Sequence, residues 1–134
     1  MIFASVRVIT DDVTGLADFY ERATGLTSEW VGPMFAAFRA ASGTLAVAAV
    51  ESLAFGGTPG IARAASNQSV FIEFIVGDVD AEYARLRAEG IVTEFELEPT
   101  TMPWGNRSVL FRDPDGNLVN FFAPLTEEAR ARQA

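Results

Sequence analysis

Glu73 is a carboxylate set inside an apolar run, Val70 to Val76. On a strand of that kind a carboxylate must find a partner or have its pKa raised. Arg7 holds the matching place in the first β-branched run, Ile2 to Thr10, 66 residues earlier. Three chemistries are open to Glu73: a cross-strand ion pair with Arg7, anchorage of a cationic ligand, or general-base work in a metal-free reaction, with Tyr20 as a second candidate for that last role. Trp104 lies between Pro103 and Gly105 in a segment that reads as a fixed loop. It can stack on a planar ligand or plug the core beneath it. Trp30, Phe35 and Phe38 can cover an opening, or belong to the core or to a subunit interface. Glu94, Glu96 and Glu98 alternate with Phe95 and Leu97. Such a strand is either a solvated edge that discourages aggregation or an acidic groove.

What is missing narrows the chemistry. The chain has no Cys and no His, and all ten basic residues are Arg. Thiolate nucleophiles, Ser-His-Asp triads, zinc sites of the usual nitrogen and sulfur ligands, Schiff bases and P-loops all drop out. A net charge of −8 repels a phosphate backbone and attracts small cations, so no nucleic-acid partner is expected. No apolar run approaches the roughly 18 residues of a membrane helix, and Met1 to Thr10 lack the basic flank of a signal peptide. No membrane partner is expected, and a cytoplasmic location is.

The elements that must position these groups follow from pattern. With 134 residues, one compact domain is expected. Residues 2–10 read as a strand, Asp11-Asp12 as a helix cap, Val13 to Thr24 as an amphipathic helix and Gly25 as its stop. Strands follow near 29–31, 35–41 and 44–51. Residues Ser52 to Gln68, with Gly56, Gly57, Pro59 and Gly60, read as a loop. The pattern then restarts: a strand at 70–76, a helix capped by Asp78 and ended by Gly90, and strands near 93–98, 107–111 and 117–123. The turn Asp113-Pro114-Asp115-Gly116 joins the last pair. The prediction is an α+β fold of two tandem βαβββ modules, about 1–52 and 69–124, joined by a linker about 53–68. The modules are expected to form a curved mixed sheet around a cleft. The tail, 125–134, reads as a solvated terminal turn.

The sequence resembles the vicinal oxygen chelate superfamily, which includes glyoxalase I, extradiol dioxygenases, fosfomycin-modifying enzymes and bleomycin-resistance proteins. Phe19-Tyr20 with Thr24-Gly25-Leu26, Val76-Gly77-Asp78-Val79-Asp80-Ala81 leading to Ala88-Glu89-Gly90, Pro103-Trp104-Gly105, and Phe111-Arg112-Asp113-Pro114-Asp115-Gly116-Asn117 carry the resemblance. Metal-dependent members hold a divalent ion on four inward-facing side chains, usually His or Glu, from the first and last strand of each repeat. The resemblance places those positions at Ser5, Phe71, Asn120 and Val47, with Ala49 or Glu51 as alternatives to Val47. This set offers no carboxylate or imidazole unless Glu51 is taken, and one Glu does not suffice for a hard cation. No metal and no cofactor are expected.

Strand alternation splits the residues between two faces. Val6, Val8, Ile72, Phe74, Val76, Val119 and Phe121 are expected under the helices. Phe3, Ser5, Arg7, Ile9, Leu45, Val47, Ala49, Glu51, Phe71, Glu73, Ile75, Leu118, Asn120 and Phe122 are expected on the concave face. Ser5, Arg7, Val47, Phe71, Glu73, Trp104, Asn120 and Phe122 are the candidate ligand-binding residues. By resemblance to the bleomycin-resistance branch, the expected function is metal-independent sequestration of a planar or cationic metabolite or antibiotic by a homodimer. The alternative is an enzyme: a glyoxalase-like lyase or dioxygenase, or a metal-free isomerase or hydrolase.

Overall fold

The structure, a computed structural model, describes residues 1–56 and 60–134. Gly57 and Pro59 of the expected linker lie outside the described residues. The chain divides into two compact units, Met1–Ser66 and Asn67–Ala134.

In the first unit, β1 (Val6–Thr10) leads to α1 (Val13–Thr24), then β2 (Ser28–Trp30), β3 (Phe35–Ala40) and β4 (Gly43–Ala49). The sheet order is β1-β4-β3-β2, with β1 parallel to β4 and the other pairs antiparallel. In the second unit, β5 (Phe71–Ile75), α2 (Val79–Ala88), β6 (Phe95–Thr101), β7 (Asn106–Arg112) and β8 (Leu118–Pro124) repeat the plan as β5-β8-β7-β6. α3 (Glu127–Ala131) follows. Two βαβββ modules, each a four-stranded mixed sheet with its helix, are therefore present.

Local chemistry sets the boundaries. Asp12 Oδ1 accepts from Gly15 N at 2.9 Å and Asp78 Oδ1 from Ala81 N at 3.0 Å, so each main helix starts on a carboxylate that satisfies a free N–H. Gly25, at φ 74°, ends α1 by donating to the Glu21 carbonyl. Ser28 donates its backbone N–H and its hydroxyl to Glu21 Oε1, tying β2 to α1. These two bonds, the hydroxyl's the stronger, hold the Glu21 carboxyl below its ordinary pKa.

Four boundaries differ from the sequence reading. β1 begins at Val6 because its partner β4 begins at Gly43, and Val6 already pairs with Leu45. Upstream of Val6 only two residues remain to pair, and Met1, Ile2 and Phe3 stand exposed. Val50–Gly56 winds into a 3-10 helix at the start of the expected loop. β6 runs Phe95–Thr101 rather than 93–98, with register shifts between Phe95 and Leu97 and again before Thr100. Finally, the tail is more than a solvated turn. Thr126 caps α3, Ala129 is fully buried, and Leu125 N donates to the Gly105 carbonyl at 2.8 Å.

Each sheet packs one face against its helix. In the first unit Leu16, Phe19, Tyr20 and Ala23 of α1 are buried with Ala36, Phe38 and Val47 of the sheet, and the Tyr20 and Phe38 rings lie 6.1 Å apart. In the second unit the Phe74, Phe121, Phe111, Phe95 and Tyr83 rings form a chain of contacts at 4.7 to 6.1 Å, ending on α2. The Phe74–Phe121, Phe111–Phe121 and Phe95–Phe111 contacts are edge-to-face and the Tyr83–Phe95 contact is tilted.

Candidate functional site

The helix-free face of the second sheet is fixed by strand register. Paired residues share a face, and Phe71 pairs with Leu118, Glu73 with Asn120 and Ile75 with Phe122. β7 extends each row: Arg112 beside Leu118, Leu110 beside Asn120, Ser108 beside Phe122. The face is apolar at Phe71, Ile75, Leu110, Leu118 and Phe122 and polar at Ser108, Arg112 and the central pair, with Leu118, Asn120, Phe122 and Ser108 buried. Asn120 Nδ2 donates to Glu73 Oε2 at 2.8 Å. Asn120 is 7% exposed, and its Oδ1 is buried with no hydrogen-bond partner among the described residues. Glu73 belongs to the edge strand β5 and is exposed, as are Phe71 and Ile75 beside it. The expected residues Phe71, Glu73, Asn120 and Phe122 thus come together on one surface.

The turn that positions Asn120 is built from buried polar groups. Asp113 Oδ1 accepts from the backbone of Asp115 and of Asn117, and Asp113 Oδ2 accepts from Asn117 Nδ2 at 2.8 Å. Arg112 Nη1 donates to the Gly116 carbonyl, and Gly116 takes φ 87°. Only a residue tolerant of the left-handed region closes a turn there. The register of β8 against β7, and with it the place of Asn120 beside Leu110, follows from this turn.

In the first unit the register corrects the expected face of β4. Val8 pairs with Val47 and Arg7 with Ala46. Val47 therefore shares the helix-facing side with Val8 and Phe38 and is fully buried, and Leu45 and Ala49 lie on that same side. The helix-free residues of β4 are Ala46 and Ala48, and Ala46 stands where Asn120 stands in the second unit. Glu51 lies beyond the strand, in the 3-10 helix. Gly-Thr-Leu-Ala-Val-Ala-Ala is apolar at both parities, so no alternation marks its inward side. Arg7 shares its face with Phe35, whose ring centroid lies 5.2 Å from the guanidinium carbon. Glu73 and Arg7 each have these contacts inside their own units. Ser5 precedes β1 and is part-exposed.

The remaining candidates separate. Tyr20 is buried between α1 and the sheet and belongs to the core. Phe38 is core as well. Trp30 lies on the helix side of its sheet, paired with Ala36, and its indole N–H donates to Ser28 Oγ at 3.0 Å. Trp104 is 57% exposed, in a turn closed by Gly105 N on the Met102 carbonyl. Arg132 donates to its carbonyl oxygen from the C-terminal segment. Next to it, Asn106 leaves Oδ1 buried without a partner. Asn106 pairs with Pro124, four residues along β8 from Asn120, which is about 13 Å of strand. Trp104 and the Glu73–Asn120 pair are thus not brought together at one point. The three glutamates do not make one acidic face: Glu96 pairs with Arg112 at 3.2 Å, whereas Glu98 accepts from the Tyr83 hydroxyl of α2. The register shift between Phe95 and Leu97 breaks their alternation. Sequence reasoning missed Ser108, Leu110 and Arg112 as face residues. The Asp113–Gly116 turn was the available signal, because a tight turn sets which residues of β7 face those of β8.

The sequence pattern of the Glyoxalase/Bleomycin resistance protein/Dioxygenase superfamily matches residues 2–121, and the chain belongs to that superfamily. A glyoxalase/bleomycin resistance protein/dioxygenase from Nocardioides superposes with a TM-score of 0.76 and 27% identity, over 95% of this chain and 85% of that one. A lactoylglutathione lyase from Agrobacterium tumefaciens gives 0.70 and 22%, over 91% and 92%, a likeness of fold. An uncharacterised Bacillus subtilis protein, YraH, is 25% identical over 129 residues, which is 93% of this chain and 100% of that one.

The donor chemistry does not fit the divalent ion that the superfamily implies. Phe71 and Ala46 present a phenyl and a methyl, and Ser5 and Asn120 are neutral. Among the described residues no group of three or more His, Cys, Asp or Glu side chains is placed to hold a metal ion. Hard cations take several anionic oxygens.

Proposed function

We propose that this chain is a metal-independent small-molecule-binding protein of the bleomycin-resistance kind, which sequesters a planar or cationic metabolite or antibiotic in the cytoplasm as a homodimer. The observation that carries the reading is the helix-free face of the second sheet. There Phe71, Leu110, Leu118 and Phe122 surround the Glu73–Asn120 pair. An apolar surface with a few convergent polar groups is the usual composition of a ligand site. Affinity would come from apolar burial and stacking; Glu73 would supply orientation and, with the net charge of −8, faster encounter with cations. The absence of His and Cys from the whole sequence and the neutral residues at the superfamily's ligand positions support binding over a metal-dependent reaction.

A thermal-shift screen tests this with planar aromatic cations, matched aromatic anions and glutathione thioesters. Saturating a site a hundredfold above Kd stabilises by about 2.7 kcal/mol, a Tm rise on the order of 10 °C for a chain of this size. The proposal expects that rise from planar cations. Stabilisation by glutathione thioesters accompanied by turnover would replace it with a lyase.

A further inference from the structure

Independently of the surface on the second sheet, we propose that the helix-free face of the first sheet carries an anion site, where Arg7 takes the carboxylate of a small monoanion with an apolar body. Register sets the arrangement. Arg7 stands on β1 and Phe35 on β3, with β4 between them, so their backbones are separated by at least about 10 Å. The guanidinium carbon nevertheless lies 5.2 Å from the Phe35 ring centroid. The two side chains therefore meet over β4, whose residues on this face, Ala46 and Ala48, carry only methyls and are fully buried. A larger side chain at either position would take up the space in which they meet.

Stacking on a ring uses the flat face of a guanidinium and leaves its N–H edge open. Arg7 is exposed, and among the described residues no carboxylate forms an ion pair with it. Arg39, Arg85, Arg107 and Arg112, in contrast, are each held by a carboxylate. The other charges on this face answer each other. Glu29 lies three strands from Arg7 in the row of Ala46 and Ala37, and it pairs at 2.7 Å with Arg39, one row further along beside the neutral Thr44. One guanidinium without an ion pair matches a single negative charge, and its planar fork fits a carboxylate bidentately. A phosphate dianion would bring a second charge that no further cation on this face meets, into a chain of net charge −8. Ile9, which pairs with Ala48 as Phe35 does, joins the Phe35 ring as an apolar bed for the body of the acid.

NMR titration of the full chain with benzoate, benzamide and phenyl phosphate tests this, at about 150 mM salt so that a Debye length of about 8 Å screens distant carboxylates. Benzoate is expected to shift the Arg7 Nε–H and Phe35 ring signals saturably. It should bind about tenfold more tightly than benzamide, its neutral isostere, and no more weakly than phenyl phosphate. Arg7→Gln, at an exposed position, should reduce benzoate to the level of benzamide, and Arg7→Lys, which keeps the charge without the fork, should recover less than half of the difference. Glu73→Gln should leave benzoate binding unchanged. Equal affinity of benzoate and benzamide for the unaltered chain, a comparison that needs no variant, overturns the proposal. So does benzoate binding that survives Arg7→Gln, tighter binding of phenyl phosphate than of benzoate, or a tenfold gain on Glu73→Gln, which would mean that Arg7 is already neutralised. None of these outcomes bears on cation binding at the second sheet.

Discussion

A primary amide held against a carboxylate has one orientation, and at Asn120 that orientation leaves an oxygen aimed away from its partner. The residues around it divide by what they stabilise. Phe71 is 52% exposed, so its removal should cost the fold little and the ligand much. Phe71→Ala is expected to lower the affinity for a planar cation by about tenfold, with stability changed by less than ~1 kcal/mol. Calorimetry and chemical denaturation on the same sample check both halves. Gly105 is the opposite case. It takes φ 91°, and a Cβ there would lie 2.3 Å from Thr126 Oγ1. Gly105→Ala should therefore destabilise by about 2 kcal/mol, through backbone strain and displacement of the α3 cap. Denaturant unfolding measures it. At this scale the sequence disclosed Glu73 as a carboxylate in search of a partner. It did not disclose Asn120 as that partner, because the offset between modules is not uniform. Arg7 and Glu73 are 66 residues apart, but Ala46 and Asn120, which pair with them, are 74 apart.

Helices and turns were legible wherever a single side chain enforces them. Asp12, Asp78, Gly25 and the Asp113–Gly116 turn sit where their chemistry requires, and the structure places elements around each. Faces were legible where one polar residue marks a parity, as Glu73 does in Phe71–Ile75, and not in β4, where every residue from Leu45 is apolar. The Asp113 turn carries the site. Asp113→Ala would leave the backbone N–H groups of Asp115 and Asn117 without their acceptor in a buried setting. A loss of about 2 kcal/mol is expected, together with weaker ligand binding, since β8 carries Asn120. A second element-level contact responds to pH. Arg107 donates through Nε and Nη2 to both oxygens of Asp80, at 2.7 and 2.8 Å, joining α2 to β7. Chiefly through that hydrogen bonding, the guanidinium holds the Asp80 carboxyl below its ordinary value. A carboxyl lowered on folding stabilises fully above its unfolded pKa, about 3.9, and loses that contribution as pH falls through the lowered folded value. The Tm difference between the unaltered chain and Asp80→Asn should be flat at neutral pH and close only below about pH 4. Thermal melts from pH 7 to pH 2 follow it.

Over the whole molecule, the duplicated plan was readable because each module repeats a cap, a helix and a tight turn in the same order. Net charge acts at this scale too. At −8, encounter with a cationic ligand should slow as ionic strength rises, because screening shortens the reach of the field. Stopped-flow association rates at 20 and 300 mM salt would show the drop, while dissociation rates stay nearly constant. The central claim is that the superfamily's fold here takes an organic ligand at positions that have lost their metal donors. Metal content and metal titration of the chain purified without chelator test it most directly. The account predicts well under 0.1 divalent ion per chain and no saturable heat with manganese, nickel or zinc, alongside unchanged binding of a planar cation in EDTA. One tightly held divalent ion per chain, whose removal abolishes ligand binding, would contradict it.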